Sequence, residues 1–152
     1  MPFSVTMPIR VSFPLKYACA FAGISALAAF LFTSFVFVDD SWRGLWVHVG
    51  SASFVVAYVL SRWLLSKGDC STSRKVIVGT CVALVSHWLC WYGFLLVTYV
   101  QGGVLEAGGP IDVVNPLSAV FVAGGYALFS LAFLGWVSIP ISILLCTWLR
   151  RA

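Results

Sequence analysis

The chain has 152 residues, of which 61% are apolar and 9% are charged, and its formal net charge is +4. A soluble domain is about half apolar and roughly a quarter charged, so the composition excludes a soluble globular protein and predicts an all-α membrane protein. The positive charge does not indicate nucleic-acid binding, because no polar segment is long enough to form a solvated basic domain.

The first half of the chain predicts a short lead and two membrane-spanning helices. Residues 1–14 contain three prolines, which disfavour a helix interior, and we interpret them as a cytoplasmic N-terminal lead. The apolar run at about 15–38 is long enough to cross roughly 30 Å of hydrocarbon. It is also longer than the roughly 7–15 apolar residues of a secretory signal peptide. A charged turn separates it from a second span at about 45–65.

The second half predicts two further spans on either side of a loop that contains Gly and Pro. The third span covers about 76–100 and the fourth about 117–149. The fourth run is about 33 residues long, more than the roughly 17–25 that a simple span requires. We therefore predict that this helix tilts or bends, either at Gly124–Gly125 or in the turn before Pro140, which lacks a backbone N–H. Residues 150–152 complete the C-terminal end.

Lysine and arginine fall on alternate connections of this four-helix transmembrane domain (15–149), with Arg43 as the exception. Those near the N-terminus, between the second and third spans and at the C-terminus are Arg10, Lys16, Arg62, Lys67, Arg74, Lys75, Arg150 and Arg151. Positive residues of short loops are retained on the cytoplasmic side. The distribution predicts a bacterial-type inner-membrane protein with both termini cytoplasmic (N-in/C-in). The loop that carries Glu106 and Asp112 then faces outward.

Small residues follow one line along the third span, at about 100° per residue. This small-residue face consists of Gly79, Ala83, Ser86, Cys90 and Gly93. Small side chains let helix backbones approach within a membrane, so we predict that the face packs against other helices. Trp88 lies roughly opposite the face and is predicted to contact lipid. A Gly93→Leu substitution is then expected to weaken the bundle more than Trp88→Leu.

His87 lies near the middle of the third span, where an ionisable side chain is a candidate functional group. None of the predicted spans contains Asp or Glu, so we interpret His87 as a neutral residue hydrogen-bonded to a hydroxyl or carbonyl group of a neighbouring helix. A proton relay and a ligand site are the alternatives. At 1.5 Å per residue, His48 lies about 4–5 Å and His87 about 16 Å below the outer edges of their spans. Axial ligands of one haem should lie at similar depths, so no haem is predicted.

The remaining polar candidates are few. Glu106 and Asp112 could attract a cation or a basic partner, although solvated loop carboxylates are the commoner case. The five cysteines match no zinc-ligand spacing. None of them lies in an outward connection, where a disulfide would form. The sequence therefore predicts no metal, no cofactor and no disulfide framework.

Because no catalytic set of residues is evident, we predict a non-enzymatic function. The expected role is helix–helix interaction with a partner in the lipid bilayer, as a small subunit, an assembly factor or an immunity or exclusion protein. The partner is another membrane protein or a second copy of the chain. The alternative is a small transporter or channel component with a path near His87.

Overall fold

The computed structural model describes residues 12–36, 44–65, 71–100 and 115–149, and nearly all of them are helical. The helices are α1 (Phe13–Val36), α2 (Leu45–Leu65), α3 (Thr72–Val100), α4 (Pro116–Ser130) and α5 (Trp136–Trp148). A π-helical segment, Leu131–Gly135, joins α4 to α5. These last three elements form one continuous helix of 33 residues, which we call the fourth helix.

Within the described ranges, four helices are long and apolar enough to cross a membrane: α1, α2, α3 and the fourth helix. No strand occurs in the described part of the chain. The prediction of an all-α chain with four such helices is therefore confirmed. The bounds of α2 are as predicted, whereas α1 and α3 begin before their apolar runs do.

In two helices, α3 and α4, a polar side chain binds a first-turn N–H group, and in α3 the helix consequently begins before its apolar residues. The Ser71 hydroxyl accepts the backbone N–H of Arg74 at 3.3 Å, so α3 includes polar residues from Thr72 onward. The Asn115 side chain accepts the backbone N–H of Ser118 at 2.8 Å. The first residue of α4 is proline, whose missing N–H costs nothing in the first turn.

The fourth helix departs from α geometry at one of the two positions predicted for a bend. Gly124 and Gly125 lie within regular α-helix. The π segment lies immediately before α5, which contains Pro140. A π-helical turn holds one more residue than an α-helical turn. The irregularity is thus in the turns before the proline and not at the glycines.

Helix α3 is central, because it packs against α2 on one side and against the fourth helix on the other. Helix α1 packs along α2 and also contacts α5. Helix α4 packs against α3 and makes no extended contact with α1 or α2 in the described residues. The four helices therefore form a ring that is closed at the α5 end (the closed end) and open at the α4 end (the open end).

The buried core follows this arrangement. At the closed end, one apolar cluster joins α1, α2, α3 and α5; its most buried members are Tyr17, Ala18, Ala57, Val78, Val82 and Cys146. At the open end the core divides. One cluster joins α2 to α3 around Cys90 and Phe94, and another joins α3 to α4 around Leu95, Ala119 and Ala123.

Backbones approach closely at two glycines. A Cβ atom added to Gly50 of α2 would lie 3.1 Å from the Cβ atom of Ala26 in α1. A Cβ atom added to Gly79 of α3 would lie 2.9 Å from Cα and 3.0 Å from the backbone nitrogen of Ile143 in α5. Both glycines thus allow contacts that a larger residue would prevent.

Candidate functional site

The most extensive polar cluster in the described residues surrounds His87 on α3. Its Nδ1 atom lies 2.9 Å from the hydroxyl of Ser130, at the end of α4. Its Nε2 atom lies 3.1 Å from the hydroxyl of Ser138, in the first turn of α5. One imidazole ring therefore holds both sides of the π segment. We call these three residues the His87 bridge.

The π segment is what allows both serines to reach the same ring. Residues eight apart in a regular α-helix lie about 80° apart around its axis, whereas residues seven apart lie only about 20° apart. Because the π segment accommodates one extra residue, Ser130 and Ser138 take the relative orientation of residues seven apart. Both hydroxyls then point to α3.

The buried faces of α4 and α5 show the same displacement. In α4 the buried residues are Ala119, Ala123 and Ala127, and in α5 they are Ser142 and Cys146. On a regular helical wheel these two sets differ by roughly 100°, the rotation produced by a single residue. The π segment removes this difference, and the two faces line up along one side of the fourth helix.

Hydrogen-bonding capacity assigns the protons in the bridge. The Ser130 hydroxyl accepts the indole N–H of Trp91 at 3.2 Å and donates to the carbonyl of Ala127 at 3.0 Å. Since a hydroxyl has one proton and two lone pairs, it then accepts from His87 Nδ1–H. With Nδ1 protonated, Nε2 is an acceptor, and the single Ser138 proton has two acceptors within reach, Nε2 at 3.1 Å and the carbonyl of Gly135 at 3.4 Å. A neutral imidazole protonated on Nδ1 has both nitrogens hydrogen-bonded when Ser138 donates to the closer acceptor, Nε2.

The chemistry of the bridge fits a structural link better than a nucleophile–base pair. A serine 2.9 Å from a histidine nitrogen has the spacing of such a pair. The activated pair also requires a third group, usually a carboxylate, to orient the histidine. In the His87 bridge that position is taken by a second hydroxyl, from Ser138.

Aromatic side chains continue the cluster towards the open end. The ring of Trp91 stacks on Tyr126 of α4 at 4.9 Å and meets Phe94 edge-on at 6.1 Å. Phe94 in turn meets His48 of α2 edge-on at 5.8 Å. His48 therefore packs seven residues beyond His87, about 10 Å along α3, and does not join the bridge.

The small-residue face is buried over most of its length. Ala83, Ser86 and Cys90 are buried, and the Ser86 hydroxyl has no hydrogen-bond partner among the described residues. Gly79 lies against α5, as described above. Gly93 differs from the other four, because a Cβ atom added there would meet no atom within 4 Å. The expectation that Gly93 is a point of close approach is not met.

Trp88 also occupies a different environment from the one predicted. It is half-buried and stacks on Tyr92 at 5.3 Å, and its indole N–H donates to the carbonyl of Val120 in α4 at 3.3 Å. The structure thus packs Trp88 against α4 instead of exposing it to lipid alone. The fourth helix covers both the small-residue face and this flank of α3.

A second buried bond between helices was not predicted from the sequence. The hydroxyls of Tyr17 in α1 and Ser142 in α5 share a hydrogen bond of 2.6 Å, and both side chains are fully buried. The Ser138 and Ser142 spacing of four residues was a visible signal that α5 has a polar face. The partners of that face could not be read from spacing.

Glu106 and Asp112 lie outside the described residues, as do the charged turn at 39–43 and Cys70. Within the described residues no three His, Cys, Asp or Glu side chains form a group that could hold a metal ion.

Comparison of the chain with protein families, with curated protein sequences and with solved structures finds no match.

Proposed function

We propose that the chain is a multi-pass inner-membrane protein that acts without catalysis, by helix–helix association with another membrane protein. Helix α4 is the proposed contact element. In the part of the chain that the structure describes, its only extensive packing against another membrane-spanning helix is on α3, which leaves the rest of its circumference available to a partner.

The observation that carries this proposal is the pair Gly124–Gly125 in the middle of α4. A Cβ atom added to either residue would meet no atom within 4 Å. Each glycine costs a helix interior roughly 1 kcal/mol relative to alanine, and among the described residues the pair gives no close contact in return. Glycine on a helix surface in lipid allows the backbone of another helix to approach. A partner helix at α4 would use that property.

The proposed orientation places the closed end in the cytoplasm. The lysines and arginines in the described residues are Lys16, Arg62, Arg74 and Lys75, and all occur in the helix ends that meet at the closed end. None of the described residues is Asp or Glu. Positive residues favour the cytoplasmic side, which supports an orientation with both termini inside.

The alternative, a transporter or channel component, would use His87 as a polar step in a path. Both ring nitrogens of His87 already contact hydroxyls of the chain. A path for protons or ions usually combines such a residue with intramembrane carboxylates, and the described helices contain none. These observations favour association over transport.

Site-specific photocrosslinking tests the proposal. A photoreactive amino acid is placed at Leu128, which is 72% exposed and lies one helical turn from Gly124. We expect one protein adduct in native membranes, and we expect Gly124→Leu with Gly125→Leu to abolish it. The double variant should keep the parent's detergent stability, because a Cβ atom added at either position meets no atom of the described residues within 4 Å.

A matched control places the same photoreactive residue at Val59 of α2, which is 51% exposed. Its adducts should not respond to the α4 substitutions. If the Leu128 position gives only lipid adducts, or if its protein adduct persists in the double variant, association through α4 is contradicted.

A further inference from the structure

We propose that His87 is a register lock for the fourth helix: by holding Ser130 and Ser138 together, it keeps the extra residue of the π segment in place. It thereby fixes the rotation of α5 relative to α4. This inference concerns the helix itself and does not depend on the proposed partner.

A lock is required because the π segment has a competing conformation. A π-helix is rare, and the same five residues could form regular α-helix. That change would rotate α5 by about 100° relative to α4. Ser138 would leave His87, and Ser142 would leave Tyr17. The π conformation thus depends on contacts that lie outside the fourth helix.

The contacts that oppose this rotation come from two helices. On α3, His87 holds both serines, and Trp91 also donates to Ser130. On α1, Tyr17 holds Ser142. Among the hydrogen bonds of the described residues, those of His87 alone reach both sides of the π segment. Its removal therefore affects the relative rotation of the two halves most directly.

The first test removes the extra residue. Deletion of Ala132, an exposed residue within the π segment, should leave a regular α-helix in which the two serines are seven residues apart. Both serines would still face His87. We expect this deletion variant to melt in detergent at nearly the temperature of the parent, although deleting a residue from a buried helix normally rotates everything that follows.

The matched control deletes Phe121, which is 83% exposed and lies in regular α-helix between Ala119 and Ala123. No π turn separates these two buried alanines, so the deletion should rotate one of them away from α3 and lower the melting temperature clearly. If both deletions lower the melting temperature equally, or if neither lowers it, the proposal is overturned.

Nitrogen-15 NMR of the imidazole rings gives a readout that general stability does not determine. The chain has two histidines, and a His48→Gln background leaves the signals of His87 alone. We expect these signals to be the same in the parent and in the Ala132 deletion variant. A stable deletion variant with altered His87 signals would show that the serines no longer face the ring, and would overturn the proposal.

The second test asks whether His87 itself holds the register. Cys146 in α5 is fully buried, and rotation of α5 would bring it to the surface. In chains whose single cysteine is Cys146, we expect His87→Leu to increase the rate of labelling by a membrane-permeant maleimide several-fold. Adding the Ala132 deletion should restore protection, because regular α-helix then gives the correct rotation without a lock.

Two results of this second test would contradict the lock. Cys146 as protected in His87→Leu as in the parent would mean that other contacts hold the register. Fast labelling that persists after the Ala132 deletion would mean that the substitution loosens the bundle without changing the rotation.

Discussion

Individual polar side chains make the hydrogen bonds that connect the helices of this chain. In the described residues, His87, Tyr17, Trp88 and Trp91 make hydrogen bonds to residues of the fourth helix. In membranes such contacts average about 0.6 kcal/mol and reach about 1.7 kcal/mol. Single substitutions should therefore have measurable but limited effects on stability.

At His87 the number of hydrogen bonds should determine the effect. Glutamine keeps hydrogen-bonding capacity in nearly the same volume, whereas leucine keeps only the volume. We expect His87→Leu to reduce the free energy of unfolding by about 0.5–2 kcal/mol and His87→Gln to reduce it less. Reversible unfolding in detergent measures both. Equal losses would indicate that ring shape matters more than the bonds to Ser130 and Ser138.

At the two glycines of the small-residue face, the same substitution should have opposite effects. Gly79→Ala places a methyl group within 2.9 Å of the Ile143 backbone, and overpacking of this kind costs about 1–3 kcal/mol. Gly93→Ala meets no atom within 4 Å and should raise stability by up to about 1 kcal/mol through helix propensity. Thermal unfolding of the Gly79→Ala and Gly93→Ala variants shows whether each substitution lowers or raises stability. A destabilising Gly93→Ala would mean that another helix lies close to it.

Among the elements, α4 begins at a position set by its cap. The Asn115 side chain accepts the Ser118 backbone N–H, and removing such a cap costs about 0.5–2 kcal/mol. We expect Asn115→Ala to destabilise the chain within that range and to speed amide hydrogen exchange at Ser118. Asn115→Ser is the control, because serine also caps helices and should retain most of the stability. Equal exchange rates in both variants would count against a role for the cap.

The elements themselves could be predicted from the sequence, because apolar runs of sufficient length have few alternatives in lipid. The start of α3 was misplaced by a few residues, because the Ser71 cap extends the helix into polar sequence. The change of face between the buried alanines of α4 and the pair Ser142 and Cys146 of α5, roughly 100° on a regular helical wheel, was visible in the sequence as well. It was not read as a π segment, because the length of the run suggested a tilt or a bend.

The candidate site was predicted only as a type of interaction. His87 was expected to bind a hydroxyl or carbonyl of another helix, and it binds two hydroxyls. Which helix supplies them depends on how helices rotate and pack in three dimensions. A single sequence shows which residues share one face of a helix, but it does not show which other helix packs against that face. For the same reason Trp88 was predicted to contact lipid, whereas it donates a hydrogen bond to the carbonyl of Val120 on α4.

At the scale of the whole molecule, the proposed orientation makes a direct prediction. A membrane-impermeant thiol reagent added outside intact cells should label a chain whose single cysteine replaces Glu106, and should not label a chain whose single cysteine is Cys70. In permeabilised cells the reagent should label both chains, which shows that both cysteines can react once the reagent reaches them. Labelling of Cys70 from outside, without labelling at 106, would reverse the orientation.

The hydrogen bond between Tyr17 and Ser142 joins residues separated by 125 positions. Tyr17 is synthesised 125 residues before its partner, so the closed end is completed only after α5 has been made and inserted. Until then, the Tyr17 hydroxyl has no Ser142 to bind, and an unpaired polar group in hydrocarbon is unfavourable. A chain that stops before α5 thus lacks the hydrogen bond that ties its first helix to its last, and its first helix keeps an unsatisfied hydroxyl.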